Sequence, residues 1–164
     1  MHRRSVAVFD RFLSVLSTIL DKAEAHCEAK KIKPEVILAA RLFPDMFSFT
    51  RQVQLACDFA ARGTARLAGV EPKSFPDTEV SFAELRDRIS AARGYMGSFQ
   101  ASDFAHAAER DIHFKASGRD MVLKGDEFLS FFSLPQFFFH LTTAYDILRM
   151  NGVELGKRDY MGAP

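Results

Sequence analysis

The sequence predicts an all-α fold, a four-helix bundle with a small β-hairpin before the last helix. Three observations carry that expectation. Apolar residues recur at intervals of three and four along four long stretches. The period changes to two only between Asp111 and Leu123. The stretch from Asp126 to Asn151 is crowded with phenylalanine, broken once by Pro135, and long enough for about seven helical turns. At 164 residues the chain fits one domain, residues 1–164.

The first helix is expected from Ser5 to Lys30. Phe9, Phe12, Leu13, Leu16, Leu20, Ala23 and Cys27 form its apolar stripe, with Asp10, Asp21, Glu24 and Glu28 on the other side. Its opening, MHRR followed by apolar residues, imitates a signal peptide, but Asp10, Arg11 and Asp21 interrupt the run, so it reads as a core helix. Pro34 then opens a short helical segment, PEVILAARL, which Pro44 ends. A second long helix should follow from Asp45, as N-cap, to Leu67 or Ala68, with Gly69 as its stop. Phe49, Val53, Ala56, Ala60 and Leu67 line one side of it, and Arg51, Gln54, Asp58 and Arg62 the opposite side.

Residues 70 to 80 contain two prolines and read as an extended connection. Ser81 caps a third helix, Glu84 completes a capping box, and Phe82, Leu85, Ile89 and Ala92 form the apolar side. Ile112 and Phe114 alternate with polar residues, as do Met121 and Leu123, which predicts the hairpin and turns His113 outward. The fourth long helix starts at Gly125 and Asp126 and should kink or restart at Pro135, because proline removes a helical hydrogen bond and clashes with the preceding turn. Asn151 and Gly152 end it, and in the tail Leu155 and Tyr160 are placed to fold back onto the bundle.

The runs LFPDMFSFTRQVQLACDFA (42 to 60) and LPQFFFHLTTAYDILRMNGVELGKRDY (134 to 160) resemble a bacterial domain-of-unknown-function family, numbered nineteen-ninety-three. Through it the chain is similar to the DinB/YfiT-like superfamily, whose members are regarded as metalloenzymes. The resemblance covers nearly the whole chain. It implies a four-helix bundle, often dimeric, and in some members a thiol-dependent transferase or isomerase. The metal site it implies is three histidines, one on the second helix and an HxxxH pair on the fourth. Here His140 matches one fourth-helix position, Gln136 and Ala144 stand four residues to either side, and residues 45 to 68 contain no histidine. A divalent transition metal needs about three imidazole, thiolate or carboxylate ligands, so no metal and no cofactor is expected.

His140 is the leading candidate for chemistry: a general base, or a residual ligand, facing a pocket between helices. The competing reading is a neutral histidine held by one or two hydrogen bonds in the core. Gln54 and Asp58, with Arg51 and Arg62 beside them, form either a polar cluster that meets His140 across the bundle or an exposed ladder of helical neighbours. Tyr145 and Asp146 share that ambiguity, and Asp146 with Arg149 or Arg158 reads as an ion pair. His26, His106 and His113 ligate a metal only if the fold gathers them. Cys27 and Cys57 lie on apolar stripes, suggest no disulfide or zinc pair, and read as buried small hydrophobes of a reducing cytoplasm.

A formal net charge of +1 gives no electrostatic footprint for nucleic acid or an anionic membrane surface, and no apolar run is long enough to span a bilayer. The 17 phenylalanines exceed what one core-facing stripe per helix requires. Phe131, Phe138 and Phe139 point away from the face that holds Phe137, Leu141, Ala144 and Leu148, which favours a homodimer. The function expected is a DinB-like bundle with a pocket near His140 for a small organic molecule, a degenerate and metal-independent member of its superfamily. The alternative is a non-catalytic homodimeric bundle that binds a ligand or serves a structural role.

Overall fold

In the computed structural model, which describes residues 1–162, the apolar stripe of the first helix runs through α1 (His2–Lys30), which stops where Lys31 turns left-handed. The last two positions of the expected 1–164 domain lie outside the described residues. Phe9, Leu13, Leu16, Leu20, Ala23 and Cys27 are all buried, and Phe12 packs at the edge of the core.

Pro34 opens α2 (Pro34–Ala39), which is shorter than the expected PEVILAARL. Ala40 is already extended, because its carbonyl accepts the backbone N–H of Phe49 at 2.8 Å. The second long helix, α3 (Phe49–Ala68), is capped by Ser48 and not by Asp45. Asp45 lies inside a turn closed by the Met46 N–H on the Phe43 carbonyl and held by the Arg41 guanidinium, which donates to the Pro44 and Met46 carbonyls. Gly69 ends α3 at φ 77°, a left-handed position that favours glycine.

Ser81 caps α4 (Phe82–Gly97) by accepting the Glu84 N–H, as expected, but the Glu84 carboxylate returns to the N–H of Val80 at 2.6 Å instead of that of Ser81. A short 3-10 turn (Ala101–Phe104) leads to β1 (Asp111–Ala116) and β2 (Arg119–Lys124), antiparallel with Phe114 opposite Met121. Their two-residue loop, Ser117 and Gly118, has φ of 49° and 76°, and two positive values suit the right-handed twist of a tight hairpin. Ile112 and Phe114 face the core and His113 faces solvent.

Pro135 does not simply kink the last helix. A single turn, α5 (Gly125–Glu127), widens into a π-helical segment over Phe128–Ser133 before α6 (Leu134–Met150) resumes the α geometry, with the proline in its first turn. There the missing N–H of proline is least costly, and the widened segment absorbs the steric clash of its ring. The tail folds back as α7 (Lys157–Met161), where Tyr160 packs on Phe12 and Tyr145.

The bundle is α1, α3, α4 and α6. Helix α3 packs against both α4 and α6, and α1 against α4. Edge-to-face pairs Phe9–Phe137 and Phe12–Phe138 close α1 onto α6. The contact between α3 and the π segment is tight enough to require Gly63: a Cβ there would sit 2.2 Å from Ser133 Oγ.

Candidate functional site

Helices α3 and α6 meet along a seam centred on His140, a buried imidazole with 6% of its surface exposed. Its Nδ1 lies 2.7 Å from Gln52 Oε1. The Gln52 amide is oriented by its own Nε2, which donates to the Phe47 carbonyl at 3.3 Å. With the amide so fixed, Oε1 must accept, His140 Nδ1 carries the proton, and the lone pair falls on Nε2. The Phe59 ring stacks on the imidazole with centroids 5.4 Å apart, and Phe139 meets it edge-on. Burial, with the positive charge of Arg51 adding to it, pushes the His140 pKa down to about 4. The ring is therefore neutral at physiological pH, with its lone pair on Nε2.

The polar row of α3 does not converge on His140. Gln54 Nε2 donates to Glu79 at 2.8 Å, and Asp58 accepts from Arg88 at 2.6 Å and pairs with Arg62 at 3.1 Å. Gln54, Asp58 and Arg88 are all buried, so the exposed-ladder reading fails too. The row instead anchors the extended connection. Arg88 reaches Glu79 at 3.0 Å, Asp77 at 3.3 Å and the Pro76 carbonyl at 2.9 Å, while Arg51 holds Asp77 at 2.5 Å. Burial works against the charge on Arg88, but Asp58 and Glu79 outweigh it and hold its pKa above the ordinary value.

Tyr145 stands away from this seam, half-buried against Tyr160. The expected pairing of Asp146 with Arg149 or Arg158 does not form among the described residues; the Arg149 guanidinium donates to the Leu155 carbonyl instead. Both cysteines are free and buried, and burial pushes the Cys57 thiol up to about 12.

Gln52 and Arg88 are the two side chains that sequence reasoning missed. A signal existed for each. Gln52 falls between Phe49 and Ala56 on the apolar stripe of α3, and Arg88 falls between Leu85 and Ala92 on that of α4. A polar side chain on an apolar stripe requires a buried partner.

Beside the seam lies a partly open cavity of about 250 Å³, bounded by α3, the hairpin and the π segment. Phe59, Phe114, Phe128 and Phe132 supply aromatic wall, and Ser133 and Gln136 supply neutral polar groups. Asp58, Arg62, Arg66 and Lys115 are its charged lining. His140 does not itself line the cavity; it backs Phe59, and Gln136 stands one turn before it on α6.

The sequence model of the family described as Domain of unknown function (DUF1993) matches residues 1–161. The chain belongs to the DUF1993 family. A solved structure of a DinB family member protein from Shewanella denitrificans is 44% identical, with a TM-score of 0.93 over 99% of this chain and 92% of that one. No curated protein matches the chain. The fold of this DUF1993 chain is thus DinB-like, and its donor set can be tested against the metal that a DinB-like fold implies. His140 brings one imidazole, Gln136 and Gln52 bring amides, and Ala144 brings no donor. Among the described residues no three His, Cys, Asp or Glu side chains gather into a metal-binding group. One imidazole with amides does not fit the needs of a divalent transition metal.

Proposed function

We propose that this DUF1993 protein binds a small organic molecule in the cavity beside the His140 seam, without a divalent metal. The observation that carries the reading is the wall of the cavity: a π-helical segment, Phe128–Ser133, turns two aromatic rings towards a partly open hollow. Such segments cost backbone hydrogen-bond geometry and occur frequently at functional sites. His140 serves this site as a positioning residue, holding Phe59 by stacking and α3 by its bond to Gln52. The buried, unpaired cysteines accord with a reducing cytoplasm. No described helix is long and apolar enough to cross a membrane.

The test combines metal analysis of the purified protein with melting curves in a chelator and in a library of small organic compounds. The expected outcome is substoichiometric metal, a melting temperature unchanged by the chelator, and stabilisation by a subset of compounds that Gln136→Ala reduces. Stoichiometric zinc or nickel, or a chelator-induced drop, rejects the metal-free reading. No stabilising compound at all rejects the ligand site.

A second reading is favoured by a different surface. Phe43, Phe47, Phe131 and Phe139 are 63%, 57%, 77% and 55% exposed. Leu42, Met46, Pro135 and Phe138 join Phe139 around an open apolar hollow. A patch of this kind suits a homodimer, in which the bundle serves assembly whether or not the cavity is filled.

A further inference from the structure

The cavity walls are aromatic, but its charges are unbalanced. Three lining cations, Arg62, Arg66 and Lys115, face a single lining carboxylate, Asp58. That carboxylate is already committed, bonded to the buried Arg88 at 2.6 Å and to Arg62 at 3.1 Å. Lys115 is mostly solvated and lies 3.8 Å from Asp120.

Arg66 is a lining cation that the fold leaves unanswered among the described residues. It is partly buried, and among the described residues it makes neither an ion pair nor a side-chain hydrogen bond. Burial, and then the neighbouring charge of Arg62, lower its pKa, while Glu71 opposes them only from a distance. Two guanidinium groups held near each other one helical turn apart repel, and a folded chain normally answers a half-buried arginine with a carboxylate. Here that position opens into a cavity lined by phenylalanine. Guanidinium groups match the planar fork of a carboxylate, and aromatic walls match an apolar body.

We infer that the cavity takes a small organic carboxylate with an aromatic body, its anionic end on Arg66 and Arg62 and its ring among Phe59, Phe114, Phe128 and Phe132. This rests on the reading of the cavity as a ligand site and adds the charge and shape of the ligand. The volume of about 250 Å³ lies just below the range of pockets that hold drug-sized ligands, so the carboxylate carries one ring, not several. Gln136, partly buried in the lining, is placed to bond a polar substituent on that ring.

The experiment titrates the full chain, by calorimetry and by amide chemical shifts, with phenylacetate, its neutral isostere phenylacetamide, and inorganic phosphate. Phenylacetate binds at least about tenfold tighter than the amide, the difference shrinks as salt is raised, and phosphate does not compete. Arg66→Gln, checked by its melting curve, loses about tenfold for the carboxylate and leaves the amide unaffected. Equal binding of acid and amide overturns the charge assignment and leaves the cavity a ligand site. Phosphate binding as well as phenylacetate overturns the aromatic half. If neither aromatic probe binds, this inference falls, and the ligand-site reading stands or falls on the compound library alone. The comparison of acid with amide is made in the unaltered protein, so it stands even where Arg66→Gln fails to fold.

Discussion

His140 is held neutral by its surroundings, and that has a measurable sign. The folded ring takes its proton only near pH 4, whereas an unfolded histidine does so near its ordinary value of 6.5. Between these two values the unfolded chain binds more protons, so the contribution of His140 to stability is complete above pH 6.5 and falls as the pH drops towards 4. The loss runs at up to about 1.4 kcal/mol per pH unit. Urea denaturation at pH 7 and pH 5 should therefore show a larger acid loss in the natural protein than in His140→Gln, and an identical loss in both would refute the assignment. The burial of His140 was legible in the sequence, since it shares a helical side with Phe137 and Ala144. Its partner was not. Gln52 and Gln54 are two residues apart, and only the rotation of α3 against α6 decides which amide meets the ring.

At the scale of elements, the second long connection is fastened by charge as much as by apolar contact. Phe75 is buried beneath the Arg88 guanidinium, 5.2 Å from it, and Asp77 and Glu79 bond that same group. Arg88→Met would leave the partly buried Glu79 without its cation and the buried Asp58 with Arg62 alone; removing one partner of a buried pair costs up to about 3–5 kcal/mol, and the remaining Arg62 pair reduces that loss. The expected result is a lower urea midpoint together with new proteolytic cleavage between residues 70 and 80. A variant as stable as the natural chain would show that these carboxylates find water without Arg88. Periodicity predicted the existence of α1, α3, α4 and the hairpin, because apolar residues recur at a regular interval along each. It missed the ends. Asp45 and Ser48 are both good caps, and the choice of Ser48 depends on a turn around Phe43–Met46 that no local propensity dictates. Pro135 announced a break, but whether the chain kinks or widens depends on the fit of Ser133 over Gly63.

At the scale of the molecule, the exposed phenylalanines set a prediction about assembly. If Phe43, Phe47 and Phe139 meet a second copy, sedimentation at micromolar concentration will give a dimer, and Phe43→Glu combined with Phe47→Glu will give a folded monomer. A natural chain that sediments as a monomer throughout would remove the homodimer. The variant should keep the cavity intact, since neither residue lines it, which separates assembly from ligand binding.

The sequence by itself determined the helical class, the hairpin, the buried cysteines and the want of an HxxxH pair around His140, because these follow from the order of polar and apolar residues and from which donor atoms stand at positions 136 and 144. The tertiary structure decided that Gln52 meets His140, that Asp58 belongs to Arg88, and that Arg62 and Arg66 open onto phenylalanines supplied by the hairpin and the π segment. Those pairings join residues far apart along the chain, and they are fixed by how helices rotate against one another in a packed core, which no single stretch of sequence encodes.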